Sequence, residues 1–432
     1  MKLLLVGGGG REHALAWRLR HESPKLEIIA APGNPGIAEL ATCVDTTATD
    51  VNALVELARR QSVDWTLVGP EAPLAVGIVD AFRAARLPIF GPTRAAAMIE
   101  TSKAYAKTLM LSAGVPTARA MVCRDVSSAR AAVAELGTPV VIKASGLAAG
   151  KGVVICQTAE EANKAIIAML QQNAFGDAGT TILVEAFMEG EELSVFFLTD
   201  GERVVPLPAA QDHKRLLEGD RGPNTGGMGA YCPVSIAEGS DLIGTVVDRV
   251  VRPTLGAMRA RGTPFTGLLY VGLMLTNDGP QVVEFNCRFG DPETQAVLPV
   301  MSANESIGDA MFTVARGEAI RENVDFRATR SAVTTVLAAG GYPGQPRTGD
   351  AIEIPPAPSN VMVFHAGTKR VPSGQLVTAG GRVLAITGLA KTLDDAQRHS
   401  RDFARSVRFA NKQFRADIGW REVARRAGAA RD

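Results

Sequence analysis

Lys143 follows a short apolar run, Val140, Val141 and Ile142, and precedes the glycine-rich stretch SGLAAGKG. Such a run reads as a buried strand, so the ammonium group arrives at a strand end. Small residues separate Gly146, Gly150 and Gly152. Their backbone N–H groups can approach an anion closely, because no bulky side chain stands in the way. A cation beside a supple glycine segment suits a triphosphate. The segment is not a Walker A loop, since Gly152 occupies the place of the required Ser or Thr. Lys103 opens a helix over Ala104–Leu111 and offers a second cation one element earlier.

Further along, the string VVEFN ends a strand over Gln281–Asn286. Glu284 and Asn286 are two apart, so they share a face while Phe285 points to the other. A carboxylate beside an amide oxygen suits Mg²⁺ (or Mn²⁺), a hard cation that completes its shell with water and phosphate oxygens. The preceding strand, Gly267–Leu275, carries no acid and is joined by an Asn277-Asp278-Gly279 hairpin turn. Arg288, Asp291 and Glu293 follow in CRFGDPETQ. A guanidinium beside a metal-held triphosphate can dock a carboxylate substrate. The stretch Ala209–Tyr231 lacks apolar periodicity and reads as one long irregular segment, which in a compact domain usually carries function. Its cluster Asp212, His213, Lys214 and Arg215, and Gly226 beyond it, suit anionic substrate groups. Arg288, Asp291 and Lys214 are the candidates for catalytic charges. A strand over Thr181–Glu185 leads through Phe187 toward Glu191 and Glu192. Adenine could slot against the backbone after Glu185, with Glu192 on the ribose; a solvated acidic hairpin is the alternative.

The elements that position these groups are α/β in pattern. Lys2–Val6 is a strand, Gly7–Gly10 a turn and Arg11–Leu19 a helix, together a phosphate cradle. The strand Leu26–Ala30 leads to Gly33–Gly36 (GNPG), and Trp65–Val68 leads to Gly69–Leu74 (GPEAPL). In a parallel sheet these loops share the carboxyl edge, where ligands bind. Gly8, Gly9, Gly10, Asn34, Gly36, Pro70 and Glu71 are therefore substrate candidates, with Asp212 and Gly226. A nicotinamide site is disfavoured, because the third glycine of G-x-G-x-x-G and the acid after the second strand are both missing. His13, His213 and His365 have no triad-like context.

Length and composition set the bounds. A chain of 432 residues suggests about three domains. It is 46% hydrophobic and 21% charged with net charge +1, so it is globular and carries no field that recruits nucleic acid or membrane. Five scattered cysteines without a CxxC fit a reduced cytosol and exclude a cysteine-built zinc site. MKLLLVGGGG is too short for a signal peptide, so a cytoplasmic location is expected.

Nearly end to end, the chain resembles the phosphoribosylamine–glycine ligase (glycinamide ribonucleotide synthetase) family of the ATP-grasp superfamily. The matching strings are GGGGREHALAW, GNPG, VGPEAPL, SKAYAK, VIKASGLAAGKGV, AQDHKR, GPNTGGMGAY and EFNCRFGDPETQ, then SAVTTVLAAGGYPG, VFHAGT, TAGGRVLAIT and FRADIGW. GPNTGGMGAY and EFNCRFGDPETQ together are the specific ones. The resemblance implies a multidomain α/β and α+β fold: an N-terminal parallel-sheet domain (1–101), an ATP-grasp core (102–326) with a mobile lid (115–189), and a small C-terminal α+β domain (327–432). It implies ATP on Lys103 and Lys143, a flap over Ser145–Gly152 including Gly146, Gly150 and Gly152, adenine at Glu185–Phe187 and ribose at Glu192. It places the metal on Glu284 and Asn286. The implied substrates are glycine and 5-phosphoribosylamine, with no nucleic acid, no membrane and a monomeric chain. Other ATP-grasp ligases using formate or bicarbonate, and an inactive nucleotide-binding regulator, are the rival readings. Arg401-Asp402-Phe403 departs from the family's Ala-Tyr pair and puts packing there in question. Arg425–Asp432 reads as a frayed basic end, and Gly349–Thr387 as short strands and turns on the ATP core.

Overall fold

The computed structural model describes residues 1–147, 152–172, 176–238 and 241–429. Gly150, in the expected flap, lies outside the described residues. The N-terminal segment forms a parallel sheet in spatial order Thr42–Cys43, Glu27–Pro32, Lys2–Gly7, Trp65–Val68 and Ile89–Phe90. Leu3, Leu4, Leu5 and Val6 are fully buried, as befits a strand covered on both faces. Helix Val51–Arg60 starts at Asp50, whose carboxylate accepts the Ala53 amide at 3.1 Å. Such a cap contributes about 1 kcal/mol.

Next comes an antiparallel sheet in order Ala120–Cys123, Ile182–Ala186, Val140–Ala144 and Val153–Cys156. Helices Val126–Leu136 and Ala159–Leu170 supply Ala129, Ala132, Val133, Ala162 and Ile166 to a hydrophobic core that this unit holds for itself. A second antiparallel sheet runs Val204–Pro206, Glu191–Thr199, Gly267–Thr276 and Gly279–Asn286. Thr117 pairs with Val282 and so ties the first unit to this sheet.

The last sheet crosses the expected segment boundaries. Its order is Gln211–Asp212, Gly229–Cys232, Ser331–Ala338, Arg382–Ala390 and Val361–His365. Helix Leu393–Ser406 lies so close that a Cβ on Gly388 would sit 2.3 Å from the Ala396 carbonyl. The stretch Ala209–Tyr231 is thus not one irregular loop. It holds the strands Gln211–Asp212, Arg215–Leu217 and Arg221–Asn224 and the start of Gly229–Cys232. Gln211–Asp212 pairs with Gly229–Cys232 and Arg215–Leu217 with Arg221–Asn224, Gly229–Cys232 also pairs with Ser331–Ala338 far along the chain, and no local apolar alternation announces these strands.

Three other expectations change. The amphipathic spacing of Ser240–Arg261 predicts one long helix interrupted by Pro253; the structure has Leu242–Val246, a π turn over Val247–Val251, and Arg252–Ala260. Pro253 lies in the first turn of the last piece, where its missing N–H is tolerated. The basic tail is helical over Trp420–Ala429. Arg425 donates to both oxygens of Glu191 at 2.7 Å, and fully buried Glu422 accepts the Ser235 amide at 2.9 Å. At the third place, Phe403 is buried while Arg401 and Asp402 pair at 3.3 Å, so packing there is intact.

The strand Val361–His365 leans on the N-terminal helix, not only on the ATP core. The His365 amide donates to His13 Nδ1 at 2.8 Å. Burial pushes His13 down to about 3, helped by the nearby His365, and pushes His365 down to about 4, helped by Arg370. Both rings stay neutral in the fold but take a proton in the unfolded chain below its ordinary pKa near 6.5. Stability therefore falls as pH drops from 6.5 toward 4, by up to ~1.4 kcal/mol per unit for each ring. Thermal unfolding between pH 7 and 4 should show this loss, with a shallower slope in His13→Gln, which keeps an acceptor. Equal slopes would remove His13 as a cause.

Candidate active site

One cavity of about 530 Å³ collects residues from every part of the chain. At one end three ammonium groups gather. Lys143, on strand Val140–Ala144, is 2.7 Å from Glu185 Oε2 and 3.3 Å from the Val283 carbonyl. Lys107 is 3.3 Å from Glu185 Oε1 and donates to Thr117 Oγ1 at 2.7 Å. Lys103 reaches the Gly146 carbonyl at 3.4 Å. Burial lowers the pKa of Lys103 and of Lys107, although Glu284 and Glu185 respectively pull the other way. Burial also acts to raise Glu185, but Lys143 and Lys107 overcome it and hold that carboxyl below its usual range. One carboxylate against three cations leaves this end positive, which suits a polyanion.

Beside it stands the Glu284–Asn286 pair. Glu284 has no hydrogen bond or ion pair among the described residues, although Lys103 lies close enough to feel its charge. Asn286 Oδ1 accepts one bond, from Arg288 at 3.2 Å, and keeps a second lone pair. No group of three or more His, Cys, Asp or Glu able to hold a metal occurs among the described residues. The donor set thus fits a hard cation that brings phosphate and water oxygens with it.

Arg288 is less free than the sequence suggests. It pairs with Glu100 at 2.9 Å and Glu71 at 3.3 Å. Glu71 accordingly faces guanidinium groups instead of standing open to an amine: burial raises its pKa, but Arg288 and Arg11 outweigh that and lower it. Asp291 is held by Arg382 at 3.2 Å and by the Gln295 amide at 2.9 Å. Gly226 also lines the cavity; its amide donates to the Tyr342 hydroxyl at 2.9 Å and its carbonyl accepts from Arg382.

The cluster at 212–215 splits by strand alternation. Asp212 and Lys214 line the cavity, 3.4 Å apart, and Lys214 also pairs with Glu192. Lys214 pulls Glu192 down, whereas burial pushes Asp212 up to about 7 against Lys214. His213 is buried instead and accepts the Gly419 amide at 3.2 Å, and Arg215 donates to the Gly222 carbonyl at 2.7 Å. Those two do not join the anion site. Glu192, already paired, does not line the cavity, nor does half-buried Phe187. Ala106, Met110, Leu147 and Val153 provide apolar lining.

Of the flap residues, Gly152 lines the cavity. Ser145 does not: its hydroxyl accepts the Ala104 amide at 3.1 Å and its carbonyl accepts the Lys103 amide at 2.8 Å, so it pins the start of the lysine helix. The Gly146 amide donates to the Ala178 carbonyl at 3.1 Å. Of the N-terminal loops, Gly69–Leu74 reaches the main cavity through Glu71, whereas the Gly7–Gly10 turn and the Gly33–Gly36 loop do not line it. Asn34 is a clasp: its amide donates to the carbonyls of Gly8 and His365 at 2.9 and 2.8 Å, and its oxygen accepts from Gly36 and Ile37. Gly36 is covered by His13, and Gly10 by Gln295. Pro70 heads the short helix Glu71–Ala75. The Gly9 amide already donates to Glu12 at 2.6 Å, which fills part of the expected phosphate cradle. Gly8 and Gly9 stay partly exposed, with Asp291 Oδ2 3.6 Å from where a Cβ on Gly9 would lie.

Lining residues that the sequence does not announce include Lys107, Glu100, Arg382 and Tyr270. Lys107 carried a usable signal, because SKAYAK places it four residues after Lys103 on the same helix face. The others have none, as they come from elements paired only in the fold.

Family models of phosphoribosylglycinamide synthetase match the chain in three pieces: the N domain over residues 1–100, the ATP-grasp (A) domain over 101–294 and the C domain over 332–421. The chain belongs to the phosphoribosylglycinamide synthetase family. It is thus an ATP-grasp ligase. The phosphoribosylamine–glycine ligase of Xylella fastidiosa (strain Temecula1) is 48% identical over 429 residues, covering 98% of this chain and 99% of that protein. The Yersinia pestis ligase of the same name is 46% identical over 430 residues, covering 98% and 100%. The crystal structure of the Thermotoga maritima phosphoribosylamine–glycine ligase superposes with a TM-score of 0.84 at 33% identity, covering 97% of this chain and 100% of that one. The biotin carboxylase domain of a Hydrogenobacter thermophilus 2-oxoglutarate carboxylase shares the fold, with a TM-score of 0.72 at 19% identity and 96% and 91% coverage. No helix among the described residues is long and apolar enough to cross a membrane.

Proposed function

We propose that this cavity joins glycine to 5-phosphoribosylamine with ATP, by way of glycyl phosphate, giving glycinamide ribonucleotide, ADP and phosphate. The observation that carries the reading is the gathering of Lys103, Lys107 and Lys143 beside Glu284 and Asn286, opening toward Arg288. A carboxylate is a poor electrophile because its charge repels nucleophiles. Transfer of the γ-phosphoryl group to it makes an anhydride with a good leaving group. The phosphoribosylamine nitrogen then attacks the acyl carbon, phosphate departs and the C–N bond closes.

The protein's part is to position groups and offset charge. Lys103 and Lys143 hold the phosphates, while Glu185 and Lys107 keep the Lys143 ammonium aimed. Mg²⁺ (or Mn²⁺), when bound at Glu284 and Asn286, neutralises charge on the transferred group. Arg288, steadied by Glu71 and Glu100, orients the glycine carboxylate. Lys214 and Asp291 complete the charged wall, and the Gly8–Gly10 turn takes the 5-phosphate end. The 115–189 unit acts as a lid that keeps water from the anhydride; its separate hydrophobic core supports that reading. With it goes a division at 1–101, 102–326 and 327–432, and a monomer working in the cytoplasm.

ADP release, measured with each organic substrate omitted in turn, tests the reaction. Omitting either glycine or 5-phosphoribosylamine should abolish completed turnover, and formate or bicarbonate should not replace glycine. Sustained ADP release on formate or bicarbonate would assign the site to another carboxylate.

A further inference from the structure

Glu293 differs from the other acids around the cavity. Its residue is 2% exposed and lines the cavity. Oε1 accepts from the Tyr270 hydroxyl at 2.7 Å and from Ser194 at 3.4 Å. Oε2 receives no hydrogen bond among the described residues. Apart from the metal-site Glu284, each other lining acid (Glu71, Glu100, Glu185, Asp212 and Asp291) has a Lys or Arg at 3.4 Å or less. Glu293 has none within ion-pair reach among the described residues, although Arg288 and Arg382 lie near enough to feel its charge. Oε2, with no donor of its own, is left to meet a cationic group arriving with a ligand. Gly290 makes room for this placement, since a Cβ there would lie 2.6 Å from Oε2.

We propose that Glu293 receives the ammonium group of the amino-acid substrate, with Tyr270 fixing its carboxylate and the substrate's own carboxylate turned toward Arg288. The proposal rests on the reading of glycine as the activated acid. Glycine carries its two charges on atoms separated by a single carbon, so it needs an anion and a cation on adjoining walls. Glu293 and Arg288 supply them.

Glu293→Gln tests this, because the amide oxygen still accepts from Tyr270 and only the charge is lost. The readouts are KM for glycine, KM for ATP, and the inhibition constant of glycolate, which has glycine's carboxylate but no ammonium. We expect KM for glycine to rise about 10- to 150-fold, the scale of one charged hydrogen bond. KM for ATP and glycolate inhibition should each stay within about threefold, less than the tenfold that 1.4 kcal/mol represents. Unchanged KM for glycine overturns the proposal. Parallel weakening of glycine, ATP and glycolate also overturns it, because that marks general damage to the site. Should the Gln variant fail to fold, Glu293→Asp retracts the charge by one methylene; glycine binding as tight as in the parent would again refute the assignment. Wild-type ADP release that ignores glycine would instead refute the parent reading and is seen in the unmutated protein.

Discussion

Replacing Lys143 with Met lowers turnover about 10²- to 10³-fold, the scale of losing one preorganised donor to developing charge. The position of the Lys143 ammonium sets the size of the effect. It ends a buried strand, is held 2.7 Å from Glu185 Oε2, and faces the cavity beside Lys103 and Lys107. Met matches the length and apolar stem of Lys, so packing of the strand survives. What disappears is one charge among three, at the point where the transferred phosphoryl group gathers negative charge. Glu185 keeps Lys107 at 3.3 Å, so it is not wholly uncompensated and the fold should persist with reduced stability. Steady-state kcat, read together with a thermal unfolding midpoint, separates the two effects. A folded variant with near-parental kcat would remove Lys143 from phosphate binding.

Glu284→Ala abolishes turnover supported by Mg²⁺. Glu284 forms no hydrogen bond or ion pair among the described residues, so its removal orphans no partner and should leave the unfolding midpoint within a few degrees. Asn286 remains, but a neutral amide oxygen already shared with Arg288 does not hold a divalent cation alone. Activity should therefore fail to return as Mg²⁺ is raised to saturation. Metal-saturated activity close to that of the parent would count against the pair as the metal site. This prediction and the previous one are independent, because one removes a cation and the other removes the group that recruits one.

The parts of the site that sequence made legible are those set by local spacing. Glu284 and Asn286 alternate with Phe285 on one strand, and the chain keeps them together in the cavity. Lys143 at a strand end was visible from Val140–Ile142. The 212–215 cluster shows the limit of composition. Four polar residues in a row look like one patch, but strand alternation sends Asp212 and Lys214 to the cavity and His213 to the interior. Asn34 is a ligand candidate by its loop position, and Ser145 by the family resemblance. Each is instead satisfied by backbone groups brought close by folding.

By itself the sequence determined the N-terminal parallel α/β pattern, the lysine and Glu-x-Asn groups and, through long matching strings, the family. These follow from periodicities of two and 3.6 residues and from motifs read within one element. Only the tertiary structure decided which charges are free. Arg288 is bracketed by Glu71 and Glu100, Lys214 by Asp212 and Glu192, and Asp291 meets Arg382, whereas Glu293 pairs with no cation among the described residues. The physical reason is distance. Ion pairing depends on separations of a few ångströms, and the partners here lie between 2 (Asp212 and Lys214) and 217 (Glu71 and Arg288) positions apart in the chain.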